Sequence, residues 1–438
     1  MNTFFIFLST YHLLRLGLGF NIFTVTPERH ADLVATQPQR NNSVDTYNHF
    51  SDVMNEFEML GNWSNLCNIS QTGRTDFNIM CIIKRNSSIK LSEFRDFTYR
   101  VSSNIRFDIS VTCEDGIIYF PWPFRADKLH RIYIKDCRIK DYNTEFKNSL
   151  IDQIPDTIKY LQMDNVTTIL RMEEVYDSLS KVNSPITRAA ECGPENAIVI
   201  IRRGTKTTFE DMQNNGLFNF STALTNDEHY FDIQKRTCLY DNLEVFEISG
   251  MNVDRQVVDK IVQVDVAENL KVLNFSGNGM SDTLYKLQGW RLRFPVMEYI
   301  DLSDNNIRDL PMIRDFGMTV KETKSVGIID LRRNKITSLT KGMIDSFSTH
   351  RYLKVDISEN PFLCDCGIIE VMEYLYSKTM PKAYDYLGSI ECANPSNVCG
   401  RKLKSLSLTD LNCNNETVFL SVNLFQKYDQ GKFIFYTK

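Results

Sequence analysis

Four stretches of the chain share one arrangement of apolar and polar positions. Each has apolar residues at positions 1, 4, 6 and 11 and asparagine at position 9, and their starts are 27, 29 and 26 residues apart. Because alternate residues of a strand face the same side, positions 4 and 6 predict a short strand that buries its apolar side chains against its neighbours. The stretches are LKVLNFSGNGM (270–280), MEYIDLSDNNI (297–307), VGIIDLRRNKI (326–336) and YLKVDISENPF (352–362).

This arrangement is the leucine-rich repeat pattern, L-x-x-L-x-L-x-x-N-x-L, with a period of roughly 20–29 residues. It predicts an α/β solenoid, a leucine-rich repeat horseshoe in which short parallel strands form a concave β-sheet. The recurring asparagines are expected to stack as a ladder whose side-chain amides bind backbone groups where each strand turns away. They are Asn278, Asn305, Asn334 and Asn360.

Weaker copies of the pattern lie upstream. LEVFEISGMNV (243–253) carries Met251 in the asparagine position, and LHRIYIKDCRI (129–139) carries Cys137 there, where the pattern accepts cysteine. IKYLQMDNV, which begins at Ile158, keeps only the strand.

Between about residues 170 and 240 the pattern dissolves. Leu243 begins its copy 85 residues after Ile158, which leaves room for two extra repeats. Alternatively, a disulfide between Cys192 and Cys238 staples an inserted loop. NAIVII (196–201) is a candidate strand in this gap, and the residues alone leave both interpretations open.

The two ends of a solenoid expose apolar core and an unpaired strand edge, and both need a cap. The cysteines lie near both ends. NPFLCDCG (360–367) follows the last ladder asparagine, and GIIEVMEYLYSK (367–378) after it has its apolar residues at helical spacing. A helix laid over the last repeat and held by disulfides would cover that end. A metal site is not expected, because the Cys-x2-Cys spacing typical of structural zinc is absent.

The segment 360–413 resembles the cysteine-rich C-terminal flanking domain of extracellular leucine-rich repeat proteins. That resemblance implies disulfides between Cys364 and Cys392 and between Cys366 and Cys413. Cys399 departs from the four-cysteine pattern of the family.

The stretch VTCEDGIIYFPWPF (111–124) resembles the end of an N-terminal flanking domain, with Cys113 as the residue that carries the match. Cys67 and Cys81 would complete that cap. The chain has 11 cysteines, an odd number, so at least one thiol is free or bridges to another chain. Cys399 and Cys137 are the candidates, and Cys137 is expected to be a buried, inert ladder residue.

The aromatic YFPWPF segment (119–124), the irregular middle and the short secreted form are similar to the insect singed-wings/halfway group. That resemblance implies a role in the ecdysone-induced developmental cascade.

The amino terminus predicts export. The first twenty residues are apolar apart from Arg15 and end in small residues suited to cleavage after Gly19, so we expect a signal peptide rather than a retained signal anchor. No later run of 18 apolar residues predicts a membrane span, so the mature protein is expected to be secreted. Eight N-x-S/T sequons predict a glycoprotein: Asn41, Asn62, Asn68, Asn86, Asn165, Asn219, Asn274 and Asn415.

These features predict a linear plan for the chain. The segments are a signal peptide (1–19), a flexible arm (20–60), an N-terminal cysteine-containing cap (61–125), the repeats with their irregular segment at about 170–240 (126–362), a C-terminal cap (363–413) and a tail (414–438).

No constellation of residues predicts catalysis. The hydrolase, metalloprotease, phosphate-loop and dinucleotide motifs are absent, and the six histidines are scattered. We therefore expect no enzyme, no cofactor and no metal. Lys and Arg number 50 against 55 Asp and Glu, so nucleic acid is not an expected partner.

The concave sheet is the expected binding surface for a partner. Its central outward column is predicted as Tyr133, Gln162, Glu247, Asn274, Asp301, Asp330 and Asp356, and its last three members form an acidic stripe that suits a basic or polar partner. Alternatively, aspartate recurs there only because it tolerates an exposed strand beside the ladder. A glycan on Asn274 would block the middle of this face. The candidate partner-binding residues are Tyr299, Asp301, Asp330, Arg332, Lys354 and Asp356.

The sequence thus predicts a secreted, non-enzymatic leucine-rich repeat protein that binds an extracellular protein. The alternatives are a matrix component cross-linked by disulfide and a membrane-anchored receptor ectodomain. The identity of the partner and the oligomeric state are left open.

Overall fold

The structure is a computed structural model. The predicted signal peptide and tail, Cys192, Cys238 and the sequons at Asn41, Asn219 and Asn415 lie outside the residues it describes. The described residues are 49–122, 124–142, 144–147, 153–171, 194, 196–210, 242–251, 268–281, 294–310, 327–348, 353–376, 387–411 and 413.

The described strands, in chain order, are β1 (Cys67–Gln71), β2 (Asp76–Lys84), β3 (Ser88–Lys90), β4 (Arg106–Glu114), β5 (Ile117–Tyr119), β6 (Leu129–Lys135), β7 (Arg138–Lys140), β8 (Tyr160–Asp164), β9 (Thr167–Leu170), β10 (Val199–Arg203), β11 (Lys206–Phe209), β12 (Val245–Ser249), β13 (Val272–Asn274), β14 (Tyr299–Asp301), β15 (Gly327–Asp330), β16 (Leu353–Asp356), β17 (Phe362–Leu363) and β18 (Cys392–Asn394). The described α-helices are α1 (His49–Glu58), α2 (Asn62–Leu66), α3 (Leu91–Arg100), α4 (Lys341–Ser348) and α5 (Ile369–Tyr376).

Within the described residues, eleven strands form the concave sheet in the order β1-β2-β4-β6-β8-β10-β12-β13-β14-β15-β16. All neighbours pair in parallel except β1 and β2, which form an antiparallel hairpin at the N-terminal edge. The predicted alignment of inward apolar residues is confirmed, because Leu273, Ile300, Ile329 and Val355 are direct partners on adjacent strands and are at most 1% exposed. The fold is the leucine-rich repeat solenoid.

A second parallel sheet, β11-β9-β7-β5-β3, runs beside the N-terminal half of the concave sheet. The chain turns from one sheet to the other at a residue with left-handed backbone. Examples are Asp115, Asp136, Asn165 and Gly204, whose φ angles are 64°, 55°, 51° and 57°. The same left-handed residue recurs in the later repeats at Gly277 and elsewhere. The left-handed residue at this turn is therefore present even in repeats that lack the ladder asparagine.

One repeat fills the described part of the irregular gap. Strand β10 pairs with β8 on one side and β12 on the other, in the segment where NAIVII was a candidate strand. Its inward residues are Ile200 and Arg202, and the Arg202 guanidinium lies 5.5 Å from the Trp122 ring centroid and donates to the Tyr142 hydroxyl at 2.7 Å. The core divides at this strand into a cluster before it and a cluster that begins with Ala197.

The expected flexible arm (20–60) is wrong for its last part, because residues 49–58 form α1. Val53, Phe57 and Leu60 follow a helical spacing and are 0%, 2% and 8% exposed. They pack into an aromatic core in which Phe57 lies 5.9 Å from Phe97, centroid to centroid. The buried apolar stripe is what orders this helix.

Four disulfides link the described cysteines. At the C-terminal end, Cys364 is bonded to Cys392 and Cys366 to Cys413, the pairing that the family resemblance implied. At the other end, Cys67 is bonded to Cys81 across the β1–β2 hairpin.

The expectation that Cys137 is a free or inert ladder residue is wrong. Cys137 occupies the ladder position after β6 and is 2% exposed, but it is bonded to Cys113 at the end of β4. Neighbouring repeats bring the two Cα atoms within 4.9 Å, a separation that suits a disulfide. Among the described cysteines, Cys399 is the one without a disulfide, and it is exposed.

Candidate binding surface on the concave sheet

The strand register fixes which side chains share the open face of the concave sheet. The predicted central column is in register from Tyr133 to Asp356, and the structure adds Met80, Ser110 and Ile201 to it. Sequence reasoning missed these three because β2, β4 and β10 were not assigned as repeats. In order, the column reads Met80, Ser110, Tyr133, Gln162, Ile201, Glu247, Asn274, Asp301, Asp330 and Asp356.

The acidic stripe has a structural role at the ends of the strands. Each of its carboxylates accepts a hydrogen bond from the backbone N–H two residues further on, and Asn274 does the same with its amide oxygen. Such bonds satisfy the backbone where the ladder of the sheet stops. The donors and acceptors are Ser276 N to Asn274 Oδ1 (2.9 Å), Ser303 N to Asp301 Oδ1 (2.9 Å), Arg332 N to Asp330 Oδ1 (3.0 Å) and Ser358 N to Asp356 Oδ1 (3.1 Å).

Asp330 is further enclosed by two side chains and is only 2% exposed. The Tyr299 hydroxyl donates to its Oδ2 at 2.9 Å, and Arg332 Nη2 donates to the same oxygen at 2.6 Å. Burial acts to raise the pKa of Asp330, but the hydrogen bonds from Arg332 and Tyr299 outweigh it and hold the pKa below its ordinary value. Burial and the bond to Asp330 raise the pKa of Tyr299, so this phenol remains a donor at neutral pH. Three of the candidate partner-binding residues therefore bind one another.

We expect Asp330→Asn to lower the free energy of unfolding by about 2 kcal/mol at pH 7, since it removes charge-assisted hydrogen bonds in a buried site. A carboxylate with a lowered pKa in the folded state stabilises the fold above its unfolded pKa and loses that effect as the pH falls through the folded one. The difference between wild type and variant should therefore stay constant above about pH 4 and shrink below it. Denaturation at a series of pH values measures it.

Asp356→Asn is the matched control for that experiment. Asn274 shows that an amide can make the same bond to the backbone, and Asp356 accepts its hydrogen bonds from Ser358, from the backbone N–H at 3.1 Å and from the hydroxyl at 2.7 Å. A pH-independent difference for Asp330→Asn, or an equal loss in Asp356→Asn, would contradict the role given to the buried ion pair.

The acidic groups in the middle of the sheet are also satisfied internally. Arg203 donates to both carboxylate oxygens of Glu247, from Nε at 2.6 Å and from Nη2 at 2.9 Å. Gln162 donates to Asp164 Oδ2 at 2.8 Å. Burial and a hydrogen bond to Asp164 raise the pKa of Tyr133, which leaves its phenol neutral.

Beside the central column runs a continuous apolar column. Its six members lie on consecutive strands from β8 to β15, and all are half-buried on the open face. At about 4.8 Å between strands, the column is roughly 24 Å long. It reads Tyr160, Val199, Val245, Val272, Tyr299 and Ile328, with Arg131 before it and Lys354 after it.

The N-terminal end of this column opens into a pocket of about 220 Å³. It is lined by Ser110, Arg131, Tyr133, Tyr160, Gln162 and Val199. The Arg131 guanidinium lies 4.7 Å from the Tyr160 ring centroid, and the His130 ring packs edge-on against the same tyrosine at 5.1 Å.

Of the sequons in the described ranges, Asn68 and Asn274 lie on strands of the concave sheet, Asn68 opposite Met80 on the edge strand β1 and Asn274 on β13. Asn274 is half-buried, whereas Asn62, Asn68, Asn86 and Asn165 are exposed. A glycan on Asn274 would stand on β13, three strands from Tyr160. Glycosylation of these residues stays a prediction.

The described residues contain no group of three His, Cys, Asp or Glu side chains that could hold a metal ion. In the same ranges, every helix is too short or too polar to cross a bilayer.

Comparisons with known proteins found distant relatives of the chain. No protein-family model matches the chain. Trophoblast glycoprotein of Macaca fascicularis is 25% identical over 146 residues, which cover 33% of this chain and 32% of that protein. Toll-like receptor 2 of Macaca fascicularis is 22% identical over 396 residues, which cover 85% of this chain and 45% of the receptor. A crystal structure of human trophoblast glycoprotein aligns at 14% identity with a TM-score of 0.41, covering 80% of this chain and 97% of that one.

These relatives are extracellular leucine-rich repeat proteins of the receptor type. The chain spans less than half the length of the two curated relatives. The similarity to the insect singed-wings/halfway group is not confirmed by these matches.

Proposed function

Because the chain is an extracellular-type leucine-rich repeat protein with disulfide-bridged ends, we propose that it is a secreted, non-enzymatic binding protein that holds an extracellular protein on its concave sheet. The observation that carries the proposal is the apolar column from Tyr160 to Ile328. Contiguous apolar side chains on an open face are typical of protein-binding surfaces, whereas the acids beside them are satisfied within the protein. The predicted role in insect developmental signalling belongs to this proposal.

Affinity capture tests the proposal. The secreted chain is used as bait for extracellular proteins, alongside a bait carrying Val245→Gln and Val272→Gln. Losing the burial of two valines should cost about 3 kcal/mol of binding free energy, or roughly a hundredfold in Kd, so the captured protein should disappear at limiting bait.

Thr207→Gln, an exposed position on β11 of the second sheet, is the matched control and should retain the partner. Capture that survives in the double variant would show that the partner does not bind the apolar column. Capture of no extracellular protein by any bait would count against the binding function itself.

The disulfide-linked matrix alternative rests on the exposed Cys399 thiol. The same baits separated on non-reducing gels distinguish the two functions, because a matrix component cross-linked through Cys399 would run as a covalent complex and a reversible binder would not.

A further inference from the structure

Two cations, Arg131 and Lys135, lie in the N-terminal half of the concave sheet on the open face of β6. Within the described residues, no carboxylate forms an ion pair with Arg131 or Lys135, and both side chains are exposed. They stand two residues on either side of Tyr133 on the open face of β6, so the two cations flank a tyrosine. By contrast, Glu247 in the middle of the sheet is held by Arg203.

The position of Arg131 leaves its hydrogen-bond donors available. Its guanidinium lies over the Tyr160 ring, and stacking occupies the face of the planar group rather than the N–H donors at its edge. The nearest acid across the strands is Asp108, which lies opposite Arg131 on β4 and contacts His130 Nδ1 at 3.3 Å. A guanidinium fixed on an aromatic ring beside a pocket suits a carboxylate, which it can bind with two parallel hydrogen bonds.

We propose that this part of the concave sheet binds an acidic, extended polypeptide segment of the partner. One carboxylate of the segment binds Arg131 in the pocket, a second lies near Lys135, and apolar residues of the segment cover the column that begins at Tyr160 and Val199. This inference rests on the proposed binding function. It differs from the chemistry expected from the sequence, where the acidic stripe of Asp301, Asp330 and Asp356 suited a basic or polar partner.

Binding of defined copolymers to the intact secreted protein tests the inference. Fluorescein-labelled random copolymers of glutamate and tyrosine, and of lysine and tyrosine, are compared by fluorescence anisotropy, with heparin as a third probe. We expect the acidic copolymer to bind and to bind more weakly as salt is raised. Arg131→Glu should weaken it by roughly tenfold to a hundredfold, and Lys135→Glu by less.

Two variants make the result specific. Lys206→Glu carries the same charge change on the exposed face of β11 and should leave binding unchanged. Arg131→Lys keeps the charge but loses the planar guanidinium, and should bind the acidic copolymer with intermediate affinity. Because Arg131 is exposed, thermal unfolding of each variant should match wild type, which separates loss of binding from loss of fold.

Preference for the basic copolymer, equal loss in Lys206→Glu, or binding of heparin alone would overturn the inference, and so would the absence of binding to any probe. None of these results removes the proposed function if an extracellular protein is still captured through Val245 and Val272. In that case the partner binds the apolar column without an acidic segment.

Discussion

Asn305→Ala should lower the free energy of unfolding by about 4 kcal/mol, a large share of the 5–15 kcal/mol that ordinarily stabilises a domain. The side chain is 3% exposed and links two adjacent repeats of the solenoid. Its Oδ1 accepts from the backbone N–H of Asn278 at 3.0 Å and of Met280 at 3.1 Å. Its Nδ2 donates to the carbonyl oxygens of Phe275 at 3.0 Å and Leu302 at 3.0 Å. Alanine leaves these buried backbone groups without partners, and each such group costs about 1–3 kcal/mol.

Denaturation in guanidinium under non-reducing conditions measures this loss. Asn306→Ala is the matched control, since it makes the same change one residue away at an exposed side chain whose amide reaches only Gly279 O at 3.2 Å. Its effect should stay within about 0.5 kcal/mol. If the two variants lose similar stability, the ladder is not what holds adjacent repeats together.

The ladder and the inward apolar rows were predictable because each depends on one residue type at a fixed position. A buried amide is needed wherever the concave strand turns away, and Asn278 repeats the same bonds one coil earlier, to Ile248 O at 2.7 Å and Phe275 O at 3.1 Å. Only a short side chain with both a donor and an acceptor can do this. The requirement is therefore visible in the sequence as a recurring asparagine.

The repeat built on β4 was missed for a physical reason. Its ladder position is Gly116, where a Cβ atom would lie 2.4 Å from the Ile83 carbonyl oxygen, so no asparagine fits. The paired strands nevertheless run in register from Asp76 opposite Arg106 to Lys84 opposite Glu114. The parallel sheet thus extends into the segment predicted as an N-terminal cap. The Cys113–Cys137 disulfide was hidden for the same reason, because it joins two repeats of which only one had been recognised.

The side-chain contacts at the candidate site could not be predicted from the repeat pattern. Outward positions follow from strand alternation, and the column that includes Asp301 and Asp330 was predicted in the right order. The pattern does not say which of these groups already bind one another. Asp330 is satisfied by Tyr299 from the neighbouring strand and by Arg332 two residues further along the chain. Arg131 has an aromatic ring beneath it, and within the described residues it forms no ion pair with a carboxylate. The unsatisfied charge, which is what a partner meets, emerges only from the side-chain contacts.

Replacing Cys364 and Cys392 together by alanine should lower the free energy of unfolding of the C-terminal end by about 3.6 kcal/mol. The bond closes a loop with a sequence separation of 28 and so limits the conformational entropy of the unfolded chain. Removing the bond restores that entropy and favours unfolding. Both cysteines are at most 2% exposed and anchor the short β17–β18 pair, in which Cys364 N donates to Asn394 O at 2.7 Å. That pair and α5 cover the apolar edge of the last repeat, where Val355 and Phe362 are fully buried.

Limited proteolysis and guanidinium denaturation under non-reducing conditions measure the effect. Opening of this cap should expose the last repeat first, so cleavage should begin after about residue 350, and the earliest unfolding transition should move to lower denaturant. Cys399→Ala is the control, because Cys399 is exposed and carries no disulfide, and it should leave both measurements unchanged. A double variant that resists protease and denaturant as well as Cys399→Ala does would show that the packing of α5 and the Cys366–Cys413 bond are sufficient to seal the solenoid.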